Sequence, residues 1–189
     1  MSKTIELLKK YVPYSEEEKK EKEVMIKAEE VSGDILTRDN EVCHLTSSAF
    51  VLNKKHDKVL CIFHKIYNSW AWVGGHADGD DDMLYVALKE AREETSIHDL
   101  KPLNNDEPIS IEILPVFGHY KRGKYVATHL HFNFTYLFEA DENEEVKIKP
   151  DENSNIAWLW LDELIEKSTE PHMIPTYKKI INRIKEKFN

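Results

Sequence analysis

The sequence has few cysteines and no long apolar run, and these absences exclude several classes of protein. Two cysteines in 189 residues, Cys43 and Cys61, are too few and too unpatterned for a disulfide framework or a zinc site. No apolar stretch reaches the roughly 18 residues that a membrane-spanning helix needs, and the first residues lack the long apolar core of a signal peptide. We therefore expect a cytoplasmic protein with no membrane partner, in which Cys61 is a buried thiol.

Positive charge is also scarce in this chain. It has 26 Lys and Arg against 35 Asp and Glu, which gives a formal net charge of -9. Because no basic stripe is present to neutralise phosphates, we do not expect a nucleic-acid backbone as the main partner. A small phosphorylated ligand that is held through a metal ion remains compatible with an acidic protein. The length suits one domain with a sizeable core, or one domain with an extension.

The first part of the chain has a helical pattern. Residues 4–11 and 15–31 are predicted helices, with a break at Pro13. The mixed-sign run 16–23 is typical of a solvated helix face. We interpret residues 1–38 as an N-terminal helical extension and residues 39–189 as the main domain.

From His44 onwards the pattern changes to strands. Two hairpins are indicated, each with a polar turn between apolar runs, and a further strand and two helices follow. The predicted strands are 46–52, 58–63, 109–117, 125–139 and 156–161, and the final helices are 162–167 and 174–188. Strands on both sides of one central helix, with helices at the end, predict an α/β layered domain.

The central helix carries three glutamates where electrostatics alone does not favour them. Glu90, Glu93 and Glu94 lie near the C-terminal end of a predicted amphipathic helix. Glu90 and Glu94 repel each other, and the helix dipole disfavours anions at this end by roughly 0.3 to 1 kcal/mol each. A hard divalent cation such as Mg2+ or Mn2+ would turn this repelling cluster into a binding site. The cluster therefore indicates a metal site.

The surroundings of the helix support this interpretation over that of ordinary exposed acids on a charged surface. A short predicted strand, 69–73, leads into Gly74 and Gly75, which let the backbone come close to a ligand. Either Asp80 or Asp81 is the predicted cap of the helix.

Residues 75–97 resemble the signature of the Nudix hydrolases. That signature is a glycine, five residues, Glu, seven residues, and then Arg-Glu-U-x-Glu-Glu-x-Gly-U, where U is a bulky apolar residue. Starting at Gly75 the spacing fits without a gap, and the signature's three glutamates nearest the helix end fall on Glu90, Glu93 and Glu94. Three positions depart from the pattern, which are Asp81 for Glu, Lys89 for Arg and Ser96 for Gly.

These departures have different physical consequences. Asp81 keeps the charge with a shorter reach, and Asp80 competes with it for the same role. Lys89 keeps the charge without the planar fork of Arg. Ser96 stands just past the helix, where Gly is favoured for its left-handed conformation, so this residue costs up to about 1 kcal/mol there.

The resemblance implies a fold, a reaction and a set of roles. The fold is an α/β/α sandwich with a mixed sheet over roughly residues 39–170. The reaction is the cleavage of a pyrophosphate bond in a nucleoside diphosphate that is linked to another group, a small nucleotide-type substrate. The implied metal is Mg2+ or Mn2+, and a homodimer is the candidate assembly. The ligands implied for this metal are Glu90, Glu93, Glu94, the Gly75 carbonyl and Asp81.

The remaining roles concern proton transfer and substrate contacts. Lys89 would orient the carboxylates, and the proton acceptor would be Glu93 or the loop acid Glu152, since a polar loop precedes the last strand. Trp70 is the predicted stacking partner for a base, chosen from the aromatic residues Phe63, Tyr67, Trp70 and Trp72. His76 follows the glycines and is a predicted substrate contact. His129 and His131 share one strand face, and with His64 and His76 they are candidates for a further metal or phosphate contact, against an ordinary structural role.

Two alternatives stay open at this point. Isopentenyl diphosphate isomerases have a related fold and a similar Gly-His loop, but their chemistry needs a cysteine where this chain has Gly74 and Gly75. The second alternative is a Nudix domain that senses a nucleotide without hydrolysing it. The substitutions at Lys89 and Ser96 are compatible with it, whereas the intact Glu90, Glu93 and Glu94 argue against it.

Overall fold

The computed structural model of the chain describes residues 2–32, 34–121, 123–150 and 153–188. Glu152, which the sequence proposes as a proton acceptor, lies outside the described residues, as does its neighbour Asp151.

Two helices open the chain, α1 at Lys3–Lys10 and α2 at Glu16–Ser32. The Ser2 hydroxyl caps α1 by accepting a hydrogen bond from the Ile5 N–H. Leu8 and Met25 are fully buried in the same apolar core as the central helix of the chain. The helices of the predicted extension therefore share a core with the strands. The prediction that the run 16–23 forms a solvated face is wrong at Glu18, which is 1% exposed.

Among the described residues, eight strands form one mixed sheet in the order β10-β2-β1-β9-β5, with β3 on β2, β4 on β1 and β6 on β9, while β7 and β8 form a separate two-stranded ribbon. β1 and β9 run parallel and the other pairs of the sheet are antiparallel. The strands are β1 Cys43–Asn53, β2 Lys58–His64, β3 Ser69–Ala71, β4 Val73–His76, β5 Lys101–Pro102, β6 Ser110–Val116, β7 His119–Lys121, β8 Lys124–Val126, β9 His129–Ala140 and β10 Asn153–Trp160.

Helices cover both faces of this sheet. Helix α3, Met83–Thr95, packs on β1, β4 and β9, and its buried face includes Val86, Ala87 and Ala91. Helices α4, Leu161–Lys167, and α5, Ile174–Phe188, belong to a second apolar cluster on the opposite face. A short 3-10 turn spans Asn104–Asp106. The α/β/α sandwich with a mixed sheet is thus confirmed.

Both predicted hairpins are present. β1 pairs with β2 around the polar turn, with Leu52 opposite Val59. The second hairpin pairs the whole of β6 with residues 129–135 of β9, and the β7–β8 ribbon lies between these two strands in the chain. Within the described residues, no helix combines the length and the apolar character that a membrane span requires.

Strand β1 alternates between two environments, which positions the site. Its odd-numbered residues, such as Leu45, Ala49 and Val51, pack in the core with α3. The even-numbered residues His44, Thr46 and Ser48 line a cavity. β9 is in parallel register with β1, with His131 opposite His44, and it alternates in the same way. Because side chains repeat every second residue in a strand, polar groups of both strands meet on one face.

Candidate active site

Helix α3 is capped at both ends by residues of its own sequence. Asp82 is its N-cap, with a carboxylate oxygen that accepts a hydrogen bond from the Tyr85 N–H at 3.0 Å. The prediction that Asp80 or Asp81 caps the helix is therefore wrong by one or two residues. At the other end, Ser96 adopts the left-handed conformation with φ of 62° and its N–H donates to the Arg92 carbonyl. The signature's second glycine position thus keeps its backbone shape without glycine.

Gly75 gives space to the carboxylate of Glu90. A Cβ atom at Gly75 would lie 2.4 Å from both Cδ and Oε2 of Glu90, which is far inside van der Waals contact. Lys89 Nζ lies 3.7 Å from the Glu90 Oε1. Because Gly75 has no side chain, the Glu90 carboxylate lies directly against the backbone of β4, with the Lys89 ammonium group beside it.

Glu94 is the most buried of the three glutamates, with 2% of its surface exposed. Its carboxylate accepts hydrogen bonds from the Gly74 N–H at 3.3 Å and from the Asn153 side-chain amide at 3.4 Å. Glu93 is exposed, and Lys149 Nζ lies 3.8 Å from its Oε2. Lys149 and Asn153 precede and follow Glu152 in the chain, so residues on both sides of the predicted base contact two of the three signature glutamates Glu90, Glu93 and Glu94, called the box glutamates below.

A cavity of about 750 Å³ lies beside these carboxylates. This volume is in the range of pockets that bind nucleotide-sized ligands. The three box glutamates and both glycines line it, together with the histidines of β1, β4 and β9. Its basic lining residues are Arg38, Lys89, Lys121, Lys124 and Lys149. The lining also contains the acidic residues Glu41, Asp78 and Glu170, so basic and acidic side chains share one cavity.

The floor of the cavity contains a hydrogen-bonded polar network. The hydroxyls of Thr46 and Ser48 both donate to the Asn133 side-chain oxygen at 2.9 Å. The Asn133 amide in turn donates to the Glu112 carboxylate at 3.0 Å. Because these groups are buried and paired, they hold the strand positions beneath the cavity rigidly.

Four histidines, His44, His76, His129 and His131, form a cluster on one wall of the cavity. His44 lies with its ring centroid 5.1 Å from that of His76, 4.8 Å from that of His129 and 5.0 Å from that of His131. Burial and, as a smaller effect, the Arg38 charge lower the pKa of His76 to about 3. Burial and the neighbouring His76 lower the pKa of His131 to about 2, and burial lowers the pKa of His44. These three imidazoles are neutral at physiological pH.

His44 is not among the residues predicted from the sequence, and His64, which is predicted to join this cluster, lies apart from it. His64 also lines the cavity, but its ring stacks on Tyr67 at 4.4 Å. A sequence signal for this histidine wall of the cavity was present, because two apolar strands have polar residues at every second position. These positions are 44, 46 and 48 in β1 and 129, 131 and 133 in β9.

Two predicted site residues lie outside the cavity. Asp81 pairs with Lys3 of α1 at 2.9 Å and is not among the cavity residues. Trp70 packs edge-to-face on Phe63 with ring centroids 5.5 Å apart, and it too is absent from the lining. Tyr67 and Trp72 line the cavity instead. The reason is strand geometry: Trp70 lies on the opposite face of β3 from Ala71, which does reach the cavity.

The glutamates fit a hard divalent cation. Glu90 and Glu94 are one helical turn apart on α3 and both line the cavity, beside glycine backbone that a side chain would block. Carboxylate and carbonyl oxygens with room for water are the ligands that Mg2+ and Mn2+ prefer.

Comparison with known proteins defines the class. The NUDIX domain family model matches residues 42–180, which is most of the chain, so the chain belongs to the Nudix family. The match extends the predicted region of resemblance into α5. This membership confirms a hydrolase that acts on pyrophosphate bonds, and divalent metals are general to the family.

A curated relative and two solved structures agree with this assignment. The relative is an RNA pyrophosphohydrolase of Pelagibacter ubique (strain HTCC1062), 30% identical over 146 residues, covering 74% of this chain and 89% of that protein. An Ap4A hydrolase of C. elegans has a TM-score of 0.55 at 18% identity and covers 75% of this chain and 98% of its own. The E. coli dihydroneopterin triphosphate pyrophosphohydrolase has a TM-score of 0.53 at 14% identity, with 73% and 95% coverage. At these identities the two structures show the fold alone.

Proposed function

We propose that this Nudix hydrolase cleaves a nucleoside diphosphate that is linked to another group, with Mg2+ or Mn2+ at the box glutamates. The observation that carries the proposal is that one cavity is lined both by Glu90, Glu93 and Glu94 and by basic side chains from several elements. Carboxylates supply a metal site, and the basic residues supply contacts for phosphate oxygens. The similar proteins are named as an RNA pyrophosphohydrolase, an Ap4A hydrolase and a dihydroneopterin triphosphate pyrophosphohydrolase. These names support a nucleotide-type substrate.

We assign the metal to Glu90 and Glu94, with Glu93 and the Gly75 carbonyl beside them. A divalent ion held by these residues would neutralise the diphosphate and make a water molecule more acidic. Lys89 keeps the Glu90 carboxylate oriented across 3.7 Å, and Asn153 with the Gly74 N–H does the same for Glu94. Asp81 is omitted from the proposed set because its carboxylate pairs with Lys3.

The proton of the attacking water needs an acceptor near these glutamates. Glu152 remains our candidate, because its chain neighbour Asn153 contacts Glu94. Glu93 is the alternative acceptor, since it is exposed and lines the cavity. For the base of the substrate we propose Tyr67 in place of Trp70, because Tyr67 lines the cavity and is 38% exposed. His76 stays a proposed substrate contact.

A substrate panel with matched variants tests the proposal. Hydrolysis with Mg2+ or Mn2+ is measured by chromatographic separation of the nucleotide products from nucleotide sugars, dinucleotides, nucleoside triphosphates and a short RNA with a 5′ triphosphate. We expect Glu94→Gln to lower kcat by at least about a hundredfold on the preferred substrate, because the metal contributes several kcal/mol to the transition state. Glu166→Gln, an exposed acid of α4, should retain wild-type turnover. Near wild-type turnover of Glu94→Gln would overturn the assignment.

Two further results of the same panel decide the remaining alternatives. Glu152→Gln should lower kcat by about 10² to 10⁴ if it is the proton acceptor, with metal affinity unchanged, whereas a loss below about tenfold transfers the role to Glu93. Nucleotide binding with no turnover of any substrate would favour the sensing alternative. A cytoplasmic location and a homodimer remain predictions, and turnover of the RNA alone would contradict the expectation that nucleic acid is not the partner.

A further inference from the structure

Three of the clustered histidines bring nitrogen atoms together at one point. One ring nitrogen each from His44, His129 and His131 lie within 4.8 Å of one another. The Nε2 atoms of His129 and His131 are 3.2 Å apart. Tetrahedral coordination at metal–nitrogen distances of about 2.0 to 2.1 Å requires ligand nitrogens roughly 3.3 Å apart. One edge of such a site is therefore already formed, and the other nitrogen pairs lie within 4.8 Å.

The backbone fixes which nitrogen of two of these rings faces inward. His44 Nδ1 lies 3.0 Å from the Asn40 carbonyl and His129 Nδ1 lies 2.8 Å from the Ala127 carbonyl. A carbonyl oxygen only accepts, so each Nδ1 carries the proton and each Nε2 presents a lone pair. Metal-bound histidines are oriented in this way, with the second ring nitrogen bonded to a carbonyl.

One of these lone pairs has no protein partner. His44 is 4% exposed, and its Nε2 is buried without a hydrogen bond to any described residue. Buried polar atoms are nearly always paired, so an orphan at the centre of a histidine cluster indicates a missing ligand.

We propose that His44, His129 and His131 bind a second metal ion of the zinc class, separate from the ion at the box glutamates. Imidazole ligands suit Zn2+ and similar borderline cations, whereas Mg2+ prefers oxygen. All three rings line the substrate cavity, so the fourth position of a tetrahedral ion is available to water or to a phosphate oxygen of the substrate. His76 packs against His44 and His131 and limits the movement of their rings.

Metal binding without substrate tests this proposal independently of the proposed reaction. The full chain is stripped with chelator and titrated with Co2+, whose absorption spectrum reports tetrahedral nitrogen coordination. We expect the Glu94→Gln variant, weakened at the glutamate site, still to bind one equivalent of Co2+ with a tetrahedral spectrum. His131→Gln and His129→Asn should weaken this binding by at least about a hundredfold, since each removes a ligand. His98→Gln, at an exposed histidine, is the matched control.

The Glu94→Gln protein keeps the test decisive even if a histidine variant fails to fold, because its histidines are intact. If it takes up no Co2+, or if the bound ion has an octahedral spectrum, the histidine site does not exist. Wild-type Co2+ affinity in folded His131→Gln and His129→Asn would overturn the proposal equally. If Glu94→Gln loses hydrolysis but binds Co2+ normally, the catalytic role of the glutamate site is supported and the histidine site is shown to be separate from it.

Discussion

At the scale of single residues, two adjacent glycines have different roles. A Cβ atom at Gly74 would meet backbone atoms, the Ser47 carbonyl oxygen and the Ser48 Cα, each at 2.8 Å. A Cβ atom at Gly75 would instead meet the carboxyl group of Glu90 at 2.4 Å. Backbone within a sheet has little freedom to move, whereas a glutamate side chain can rotate away. The first glycine is therefore a requirement of packing and the second a requirement of the site.

This difference predicts opposite outcomes for two alanine substitutions. Gly74→Ala should destabilise the fold by about 1 to 3 kcal/mol, which lowers Tm by roughly 2 to 12 °C in a chain of this size. Gly75→Ala should leave Tm in chelator nearly unchanged but weaken Mn2+ binding by at least about tenfold, because Glu90 is displaced. Thermal melting and Mn2+ titration of both variants measure these effects. Unchanged Mn2+ affinity in a folded Gly75→Ala protein would contradict the role given to Glu90.

At the scale of elements, the end of α3 shows how a departure from a signature is accommodated. Ser96 has φ of 62°, a conformation that glycine adopts freely and other residues adopt at a cost. The helix keeps its hydrogen bond to the Arg92 carbonyl, and Thr95 adds one from its hydroxyl to the Ala91 carbonyl at 2.6 Å. The substitution thus changes stability and leaves the position of the glutamates intact.

Ser96→Gly should accordingly stabilise the protein. Relief of the left-handed strain is worth about 0.5 to 1 kcal/mol, which corresponds to a Tm increase of roughly 1 to 4 °C. The kinetic constants should stay at wild-type values, because the carboxylates of α3 do not move. Calorimetry and a turnover assay check both statements, and Ser168→Gly, at the extended C-cap of α4, provides a control that should not gain stability. A lower Tm for Ser96→Gly would show that the serine side chain stabilises this helix end.

At the scale of the whole molecule, one buried carboxylate joins the first helices to the last. Glu18 of α2 accepts a hydrogen bond from Arg183 of α5 at 2.6 Å, and others from the Ser110 hydroxyl at 3.0 Å and the Tyr11 hydroxyl at 2.9 Å. Burial alone would raise the pKa of Glu18, but the Arg183 hydrogen bond and the other contacts lower it from 4.5 to about 2. The N-terminal helices are thereby tied to the C-terminal helix.

Removal of the arginine should therefore destabilise the whole fold. Arg183→Met keeps much of the side-chain volume but leaves a buried carboxylate short of its main partner, at a cost of about 3 to 5 kcal/mol. The expected Tm decrease is roughly 6 to 20 °C at neutral pH. Lys185→Met on the same helix breaks an exposed pair with Asp162 and should cost less than about 1 kcal/mol.

The pH dependence of this difference follows from the Glu18 pKa. Because the folded pKa lies below the unfolded value, the ionised carboxylate stabilises the fold above about pH 4.5, and this contribution is lost as the pH falls towards 2. The stability gap between wild type and Arg183→Met should narrow over the same interval. Denaturant melts at several pH values measure it. A gap that is constant from pH 7 to pH 3 would show that packing, not charge, couples these helices.

The local sequence determined the elements and the motif of this protein. Helix α3, both hairpins and the final helices follow from periodicity and turn residues, which act over a few neighbouring positions, and the glutamates follow from their spacing on one helix. The N-cap is Asp82 and not the predicted Asp80 or Asp81, because these three residues have similar capping propensities and only the backbone conformation selects one of them.

Tertiary structure alone decided which distant residues meet. His44 and His131 are adjacent because β1 and β9 pair in parallel, and Glu18 is buried because Arg183 approaches from the other end of the chain. Asp81 and Trp70 had suitable chemistry but lie outside the cavity, since an ion pair with Lys3 and the face of β3 determine where they point. Strand pairing and helix packing join residues of large sequence separation, and no local pattern encodes such contacts.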